Sequence, residues 1–390
     1  MRICLVYDCL YPHTIGGAER WYRNLAERLA TEGHQVTYLT LRQWPRGQVA
    51  GVAGVDVVCA GPRMALYTGS GRRRIAPPLV FGAGVLWQLL RHGKRFDVVH
   101  TASFPYFSLL AAALARPLGR FRLVVDWHEL WSDAYWREYL GRYGGPVGAA
   151  VQRACLRIPQ RAFCFAHLTA RRLRAQQLRG EVTVLEGEYE GSREPRPPID
   201  AEPLVVFAGR HIPEKRVPAL VPALRLAREQ EPELRALIFG AGPERERVLA
   251  EIRAHGLEEA VEAPGFVEGE RVQHALARAA CMVLPSRREG YGLIVVEAAS
   301  KGVPSVVVRG EDNAAVDLVD EGENGAVAAS ASPQDLAEAI VGVYRAGPAL
   351  RTRTAAWFRG NAQRLSLDGS LRTVVAAYAG EQTGPESGAA

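Results

Sequence analysis

Short apolar runs alternate with amphipathic helical spacing along almost the whole chain, on both sides of one polar, proline-rich break. Alternation of this kind builds crossover units, in which a strand is followed by a helix and then by a parallel strand. Residues 2–7, 35–41, 55–59, 97–100, 122–128, 161–165 and 182–185 read as strands before the break, and residues 16–30, 79–90, 107–115, 147–156 and 170–178 as helices. The break covers residues 188–203, Glu-Tyr-Glu-Gly-Ser-Arg-Glu-Pro-Arg-Pro-Pro and onward, which has no periodicity. Alternation restarts at Leu204, with strands at 205–210, 235–240, 261–267, 281–285 and 305–308. Helices are expected at 218–228, 244–255, 271–279, 333–345, 350–364 and 367–378. The 390 residues therefore divide into two α/β domains of similar size, each large enough for its own core.

In open α/β sheets ligands gather at the carboxyl ends of the strands, so those ends are where chemistry is expected. After the first strand comes Gly16-Gly17, opening a helix with Trp21, Leu25 and Leu29 on one side; the dinucleotide fingerprint Gly-x-Gly-x-x-Gly is absent. The pair reads either as a ligand loop or as a simple tight turn. At the end of the strand 122–128, Trp127 and His128 stand beside Glu129, Trp131, Tyr135 and Trp136. Such a group suits a sugar-binding wall, and His128 alone suits a strand cap.

In the second half, Ser286-Arg-Arg-Glu-Gly-Tyr-Gly-Leu-Ile-Val-Val-Glu297 follows an apolar strand and turns through glycines into a helix running from about Gly292 to Gly302. Free N–H groups at such a helix start suit an anion. Glu289 precedes the helix, and Glu297 lies about 7–8 Å along it at the usual rise. Carboxylates flanking free N–H groups make a mould for a molecule with hydroxyls at both ends and phosphate between; solvated charge is the alternative. Arg210 and Lys215, in Gly209-Arg-His-Ile-Pro-Glu-Lys215, end the first strand of the same domain and suit a leaving diphosphate.

Charge is uneven. The net value is +6, but residues 1–195 hold 26 Lys+Arg against 15 Asp+Glu, or +11, which leaves −5 for the rest. No nucleic-acid module accompanies the basic half, and an anionic membrane or a phosphorylated acceptor explains it equally well. Arg72 to Arg74 followed by the apolar residues 79–90 suits a membrane face, although residues 76–90 are too short and too broken by proline and glycine to span a bilayer. The six cysteines form no Cys-x-x-Cys pair and read as reduced, buried residues. No signal peptide is recognised, so a cytoplasmic location is expected, with peripheral contact at the inner membrane face.

Gly209-Arg-x-x-x-x-Lys215, Phe239-Gly-Ala-Gly-Pro243, Gly265-Phe-Val267 and the Glu289-x7-Glu297 element together resemble the second domain of retaining glycosyltransferases of family 4. Gly16-Gly-Ala-Glu-Arg20 and Val124-Val-Asp-Trp-His128 resemble the first. The resemblance implies the GT-B architecture, two Rossmann-like, doubly wound parallel-sheet domains facing a central cleft. It places acceptor binding in residues 1–188, a linker at 189–203 and the nucleotide-sugar domain at 204–364. A helix at 365–380 would cross back to the first domain, before a mobile tail at 381–390. Arg210 and Lys215 would then bind the diphosphate. Glu289 with the backbone of Gly290, Tyr291, Gly292 and Leu293 would hold the hexose, Glu297 the ribose, Val267 would lie near the base, and Ile294 would belong to the donor site. Gly16 and Gly17 would approach the reacting centre, and His128 the sugar or phosphate; apart from the resemblance, the group Trp127, Glu129, Trp131, Tyr135 and Trp136 suits the acceptor.

The implied activity is transfer of a hexose from a UDP-, GDP- or TDP-sugar to an acceptor hydroxyl of a sugar, glycolipid or natural product. A same-face departure and attack is expected, because no nucleophile is evident beside the donor site. No cofactor and no metal are expected, since no Asp-x-Asp element ends a strand. A sugar-nucleotide epimerase and a non-catalytic sugar-nucleotide-binding protein are the competing readings.

Overall fold

The computed structural model describes residues 1–14, 16–45, 47–48, 51–66, 68, 73–195 and 201–380. Two compact units emerge. The first comprises Met1–Thr68, Arg72–Glu186 and the chain from Asp368 onward; the second is built on Gly187–Leu367.

The first unit contains β1 (Arg2–Val6), β2 (Gln35–Leu41), β3 (Val55–Gly61), β4 (Val98–Ala102), β5 (Arg122–Trp127), β6 (Gln160–Cys164) and β7 (Gly180–Val184). All pair in parallel, in the order β3-β2-β1-β4-β5-β6-β7. Helices α1 (Gly17–Thr31), α2 (Ala76–His92), α3 (Tyr106–Gly119), α4 (Asp133–Leu156) and α5 (His167–Ala175) connect them. The central strands β1 and β4 are buried almost throughout, as helices on both faces of a parallel sheet require. The edge strands β3 and β7 are half exposed, and Cys59 on β3 is exposed whereas the other five cysteines are buried. The expectation that all six were buried fails at an edge strand, where one side has no neighbouring strand.

The second unit contains β8 (Leu204–Ala208), β9 (Arg235–Phe239), β10 (Val261–Gly265), β11 (Cys281–Leu284), β12 (Arg288–Glu289), β13 (Ser305–Val308), β14 (Asp312–Asn313) and β15 (Gly325–Ala328). Six strands make a sheet in the order β10-β9-β8-β11-β13-β15, and β12 pairs with β14 as a separate ribbon. Helices α6 (Leu220–Gln230), α7 (Arg245–Ala254), α8 (Gly269–Arg278), α9 (Leu293–Ala299) and α10 (Pro333–Asn361) complete it. The two helices expected at 333–345 and 350–364 form α10, broken at Gly347 with φ +53 just before Pro348. Each unit is a doubly wound, Rossmann-like sheet, and each reverses strand order once, between β1 and β4 and between β8 and β11.

The last helix, α11 (Leu367–Ala379), packs into the first unit, almost all of it lying in the segment from Asp368. Tyr378 is 1% exposed, and its hydroxyl meets His100 Nδ1 within the β4 core. The stretch after Gly187 is not an open tether. Tyr189 N donates to Leu365 O at 3.1 Å, Leu367 N donates to Tyr189 O at 2.9 Å, and Arg193 reaches Gln363 Oε1 at 2.7 Å. Residues 196–200 of the expected linker and the expected tail, 381–390, lie outside the described residues.

Candidate active site

In the second unit, the switch point lies between the carboxyl ends of β8 and β11. Gly209 and Arg210 follow β8. The chain then makes a short 3-10 turn, Pro213–Lys215, and leaves it through Arg216 in the left-handed region at φ +49. Arg210 is exposed and, among the described residues, makes no ion pair. Lys215 Nζ meets Glu289 Oε1, and Ser286 Oγ donates to that same oxygen at 2.7 Å. The cation expected at the diphosphate and the carboxylate expected at the sugar are thus partners of each other.

Ser286 is itself fixed, because Asn313 Nδ2 donates to its carbonyl at 3.1 Å and to Val308 O at 2.8 Å. The ribbon register, Arg288 with Asp312 and Glu289 with Asn313, holds Glu289 against this anchor. Sequence reading quoted Ser286 without giving it a role and missed Asn313, which forms no part of a recognisable spacing.

Beyond Glu289 the chain turns at Gly292, with φ +104. A Cβ there would lie 2.7 Å from Ala315 Cβ, so both conformation and space require glycine. The helix that follows, α9, has seven residues and stops at Ala299, short of the expected Gly302. So short a helix aligns few peptide dipoles, and its first N–H groups rather than a macrodipole are what it offers. Tyr291 is 7% exposed, Gly292 is buried, and Leu293 and Ile294 are half-buried. Glu297, half-buried, accepts from Gln273 Nε2 on α8 at 3.1 Å. Val267 follows β10 and is half-buried, beside Phe266, which is 68% exposed.

The Phe239-Gly-Ala-Gly segment has a packing job in this unit. His211 is fully buried, its backbone N–H donates to Ala241 O at 2.9 Å, and its carbonyl accepts from Glu244 N at 2.9 Å. A Cβ on Gly240, at φ +125, would fall 1.8 Å from Gly209 O. The glycines therefore let one strand-end loop close against the loop that carries Arg210.

In the first unit, Gly16 precedes α1 without a side-chain cap and Gly17 is its first residue. A Cβ at Gly16 would lie 2.3 Å from Glu19 Oε2, so the Glu19 carboxylate folds back over this helix start. His128 follows β5, half-buried, with its ring stacked on Phe165 at 5.0 Å and 5°. Burial lowers its pKa despite the nearby charges of Asp126 and Glu129, so the imidazole is neutral near pH 7. Its Nε2 has no hydrogen-bond partner among the described residues.

Beneath His128 lies a network that sequence reading missed. His100 Nε2 is 2.7 Å from Asp126 Oδ1, while Asp126 Oδ2 accepts from Trp21 Nε1 at 2.7 Å. Tyr378 completes it at His100 Nδ1. All four side chains are at most 2% exposed. Burial pushes the Asp126 carboxyl upward, but His100, His128 and the Trp21 N–H outweigh it and hold the pKa below its ordinary value. The available signal was a histidine and an aspartate inside otherwise apolar strand runs.

The expected acceptor wall needs correction. Trp127 is fully buried and donates to Gln160 Oε1 at 2.9 Å; Trp136 is 3% exposed and donates to Gln152 Oε1 at 3.2 Å. Both belong to the core. Tyr135 and Trp136 lie on α4, which Ser132 caps by accepting from Tyr135 N at 3.2 Å, so they are not on a strand-end loop. Trp131 is half-buried, donates to Glu129 Oε2 at 3.0 Å, and packs on Phe104, Tyr135, Trp136 and Tyr139 at 4.6–5.4 Å. Arg73 covers Phe104 at 5.3 Å and pairs with the fully buried Asp8. These rings are largely spent on one another. Arg73 is accordingly not a solvent-facing charge, and Arg72 lies outside the described residues.

Comparison with known proteins agrees with this construction. The family model described as "Glycosyl transferases group 1" matches residues 190–355, and "Glycosyltransferase Family 4" matches residues 15–187. A curated relative, glycogen synthase of Mycobacterium tuberculosis, is 28% identical over 413 aligned positions, covering 97% of this chain and 94% of its own. Among solved structures, sucrose-phosphate synthase from Thermosynechococcus elongatus superposes with a TM-score of 0.78 at 20% identity, covering 97% and 98% of the two chains. The Anabaena protein HepE in complex with UDP gives 0.72 at 18%, covering 97% and 100%.

Proposed function

The chain belongs to family 4 of the GT-B glycosyltransferases, and from that premise we propose that it moves a hexose from a UDP-, GDP- or TDP-sugar to an acceptor hydroxyl with retention. The observation that carries this reading is the Lys215, Glu289 and Ser286 cluster at the switch point of the second unit. Glu289 accepts Lys215 and Ser286 on Oε1, which leaves Oε2 for a sugar hydroxyl. Lys215 and the unpaired Arg210 meet the diphosphate on the same edge and stabilise its charge as it departs. Glu297, steadied by Gln273, takes the ribose hydroxyls. The departing phosphate oxygen accepts the proton of the incoming hydroxyl, so attack comes from the face the diphosphate leaves. Protein cations do this work without a divalent metal.

A thermal-shift screen of UDP-, GDP- and TDP-hexoses tests the donor assignment, because a bound ligand raises stability by mass action. One base should raise the melting temperature, and NMR of the transfer product should show the donor's anomeric configuration. Inverted product, isomerisation of the donor alone, or loss of activity in chelator restored by magnesium would each overturn part of the reading.

The acceptor side includes peripheral contact with an anionic membrane. Among the described residues no helix is long and apolar enough to cross one. Yet Leu79, Trp87 and Leu90 on α2 and Leu114 and Leu118 on α3 are 47–68% exposed. From Val57 to Val125 the sequence carries ten Lys+Arg, of which Arg73 is spent on Asp8, and one acid, Asp97. Apolar side chains rimmed by cations suit an anionic interface. Sedimentation with phosphatidylglycerol vesicles should bring down the parent protein but leave Trp87→Ala/Leu90→Ala in the supernatant. Equal sedimentation of both would remove α2 from the contact.

A further inference from the structure

The edge of the first sheet where the strands begin, opposite the edge that bears His128, holds a cavity of about 400 Å³. Val98, Arg122, Gln160 and Gly180, the first residues of β4 to β7, line it, and α11 closes one side with Ala377 and Tyr378. Four arginines line it, Arg116, Arg122, Arg161 and Arg179, against a single acidic residue, Glu181. Arg161 pairs with Glu181 at 3.1 Å, and Arg116 donates to Pro159 O at 2.6 Å. The other two are differently placed. Arg122 is exposed, and its side-chain contact is Met1 Sδ at 3.6 Å; Arg179 is exposed, and among the described residues its side chain meets no carboxylate.

Strand-start edges need not be like this. The corresponding edge of the second sheet has a cavity of about 500 Å³, and its arginines are all matched. Arg235 lies 3.8 Å from Glu202, Arg278 pairs with the same carboxylate, and Arg271 meets Glu262 at 3.0 Å. The first sheet thus gathers cationic charge around a concave, partly apolar floor that includes Leu123 and Ala377. Guanidinium forks match phosphate oxygens in pairs, and the volume suits a small organic phosphate.

We infer that this cavity is a second anion site, which binds a small phosphate-bearing molecule between Arg122 and Arg179 with Arg116 and Arg161 beside it. It is independent of the donor reading, since it lies at the opposite edge of a different sheet from Arg210 and Lys215.

Calorimetric titration with inorganic pyrophosphate tests it. The donor-site variant Arg210→Ala/Lys215→Ala should still bind one pyrophosphate. Adding Arg122→Ala/Arg179→Ala should weaken that binding at least tenfold, and Arg179→Ala alone, an exposed substitution that leaves the fold intact, should weaken it measurably. If the donor-site variant binds no pyrophosphate, or if the arginine variants bind it as tightly as their parent, the assignment falls. Because the titration needs no sugar donor, failure of the transferase reading leaves its result interpretable.

Discussion

Replacing Lys215 with alanine is expected to lower kcat by about 10²–10³, the usual loss when one preorganised charge-stabilising group is removed from an acyl or phosphoryl site. That is about 3–4 kcal/mol of transition-state stabilisation. The size follows from position. Lys215 is held against Glu289, which Ser286 anchors in turn, so the ammonium is already in place before the diphosphate charge develops. A group of this kind should affect kcat more than KM. Glu289→Gln should also be slow, and the double variant should lose less than the two single losses multiplied, because the pair acts as one unit. Steady-state kinetics with the donor identified by thermal shift decides the matter, and an unchanged kcat in Lys215→Ala would remove it from the mechanism.

Asp126→Ala should cost about 2–5 kcal/mol of stability, since it removes the partner of two buried polar groups, each worth about 1–3 kcal/mol when left unsatisfied. For a unit of about 200 residues this corresponds to a fall in melting temperature on the order of 10 °C. The reason is that alanine strands both His100 and the Trp21 N–H inside the core. Tyr378→Phe removes only the outer hydroxyl and should cost about 1–3 kcal/mol. The pH dependence gives an independent check. Asp126 has a lowered folded pKa, so its stabilisation is complete above the ordinary carboxyl range and disappears as pH falls through the lowered value. The parent should lose stability along that acid limb, and Asp126→Ala should lose less there. Parallel acid limbs in melting curves would mean that other carboxylates carry it.

The parallel sheets were legible in the sequence because their strands, buried on both faces, carry runs of valine, as in Val98–Ala102 and Ser305–Val308. β15 was not, since Gly325-Ala-Val-Ala328 offers one bulky side chain and depends on β13 for its pairing. The start of α4 escaped for a different reason. Aromatic side chains at 131–136 resemble a binding wall in one dimension, while the Ser132 cap and the packing of Trp136 on Gly148 are three-dimensional facts. Spacing pointed to Lys215 and Glu289 separately. Their mutual pairing, the Asn313 support of Ser286 and the Gln273 contact to Glu297 depend on loops from different strands and helices meeting, which no local pattern encodes.

The return of α11 to the first sheet also bears on the order in which the protein matures. All seven strands of that sheet have been synthesised by Val184, yet Tyr378, which seals His100 and Asp126, comes nearly two hundred residues later. On the ribosome the second unit, contiguous from Gly187 to Leu367, has every residue it needs before the first is complete. The half of the chain that is made first is therefore the half that is finished last, and nascent chains halted before α11 carry an open His100–Asp126 pair.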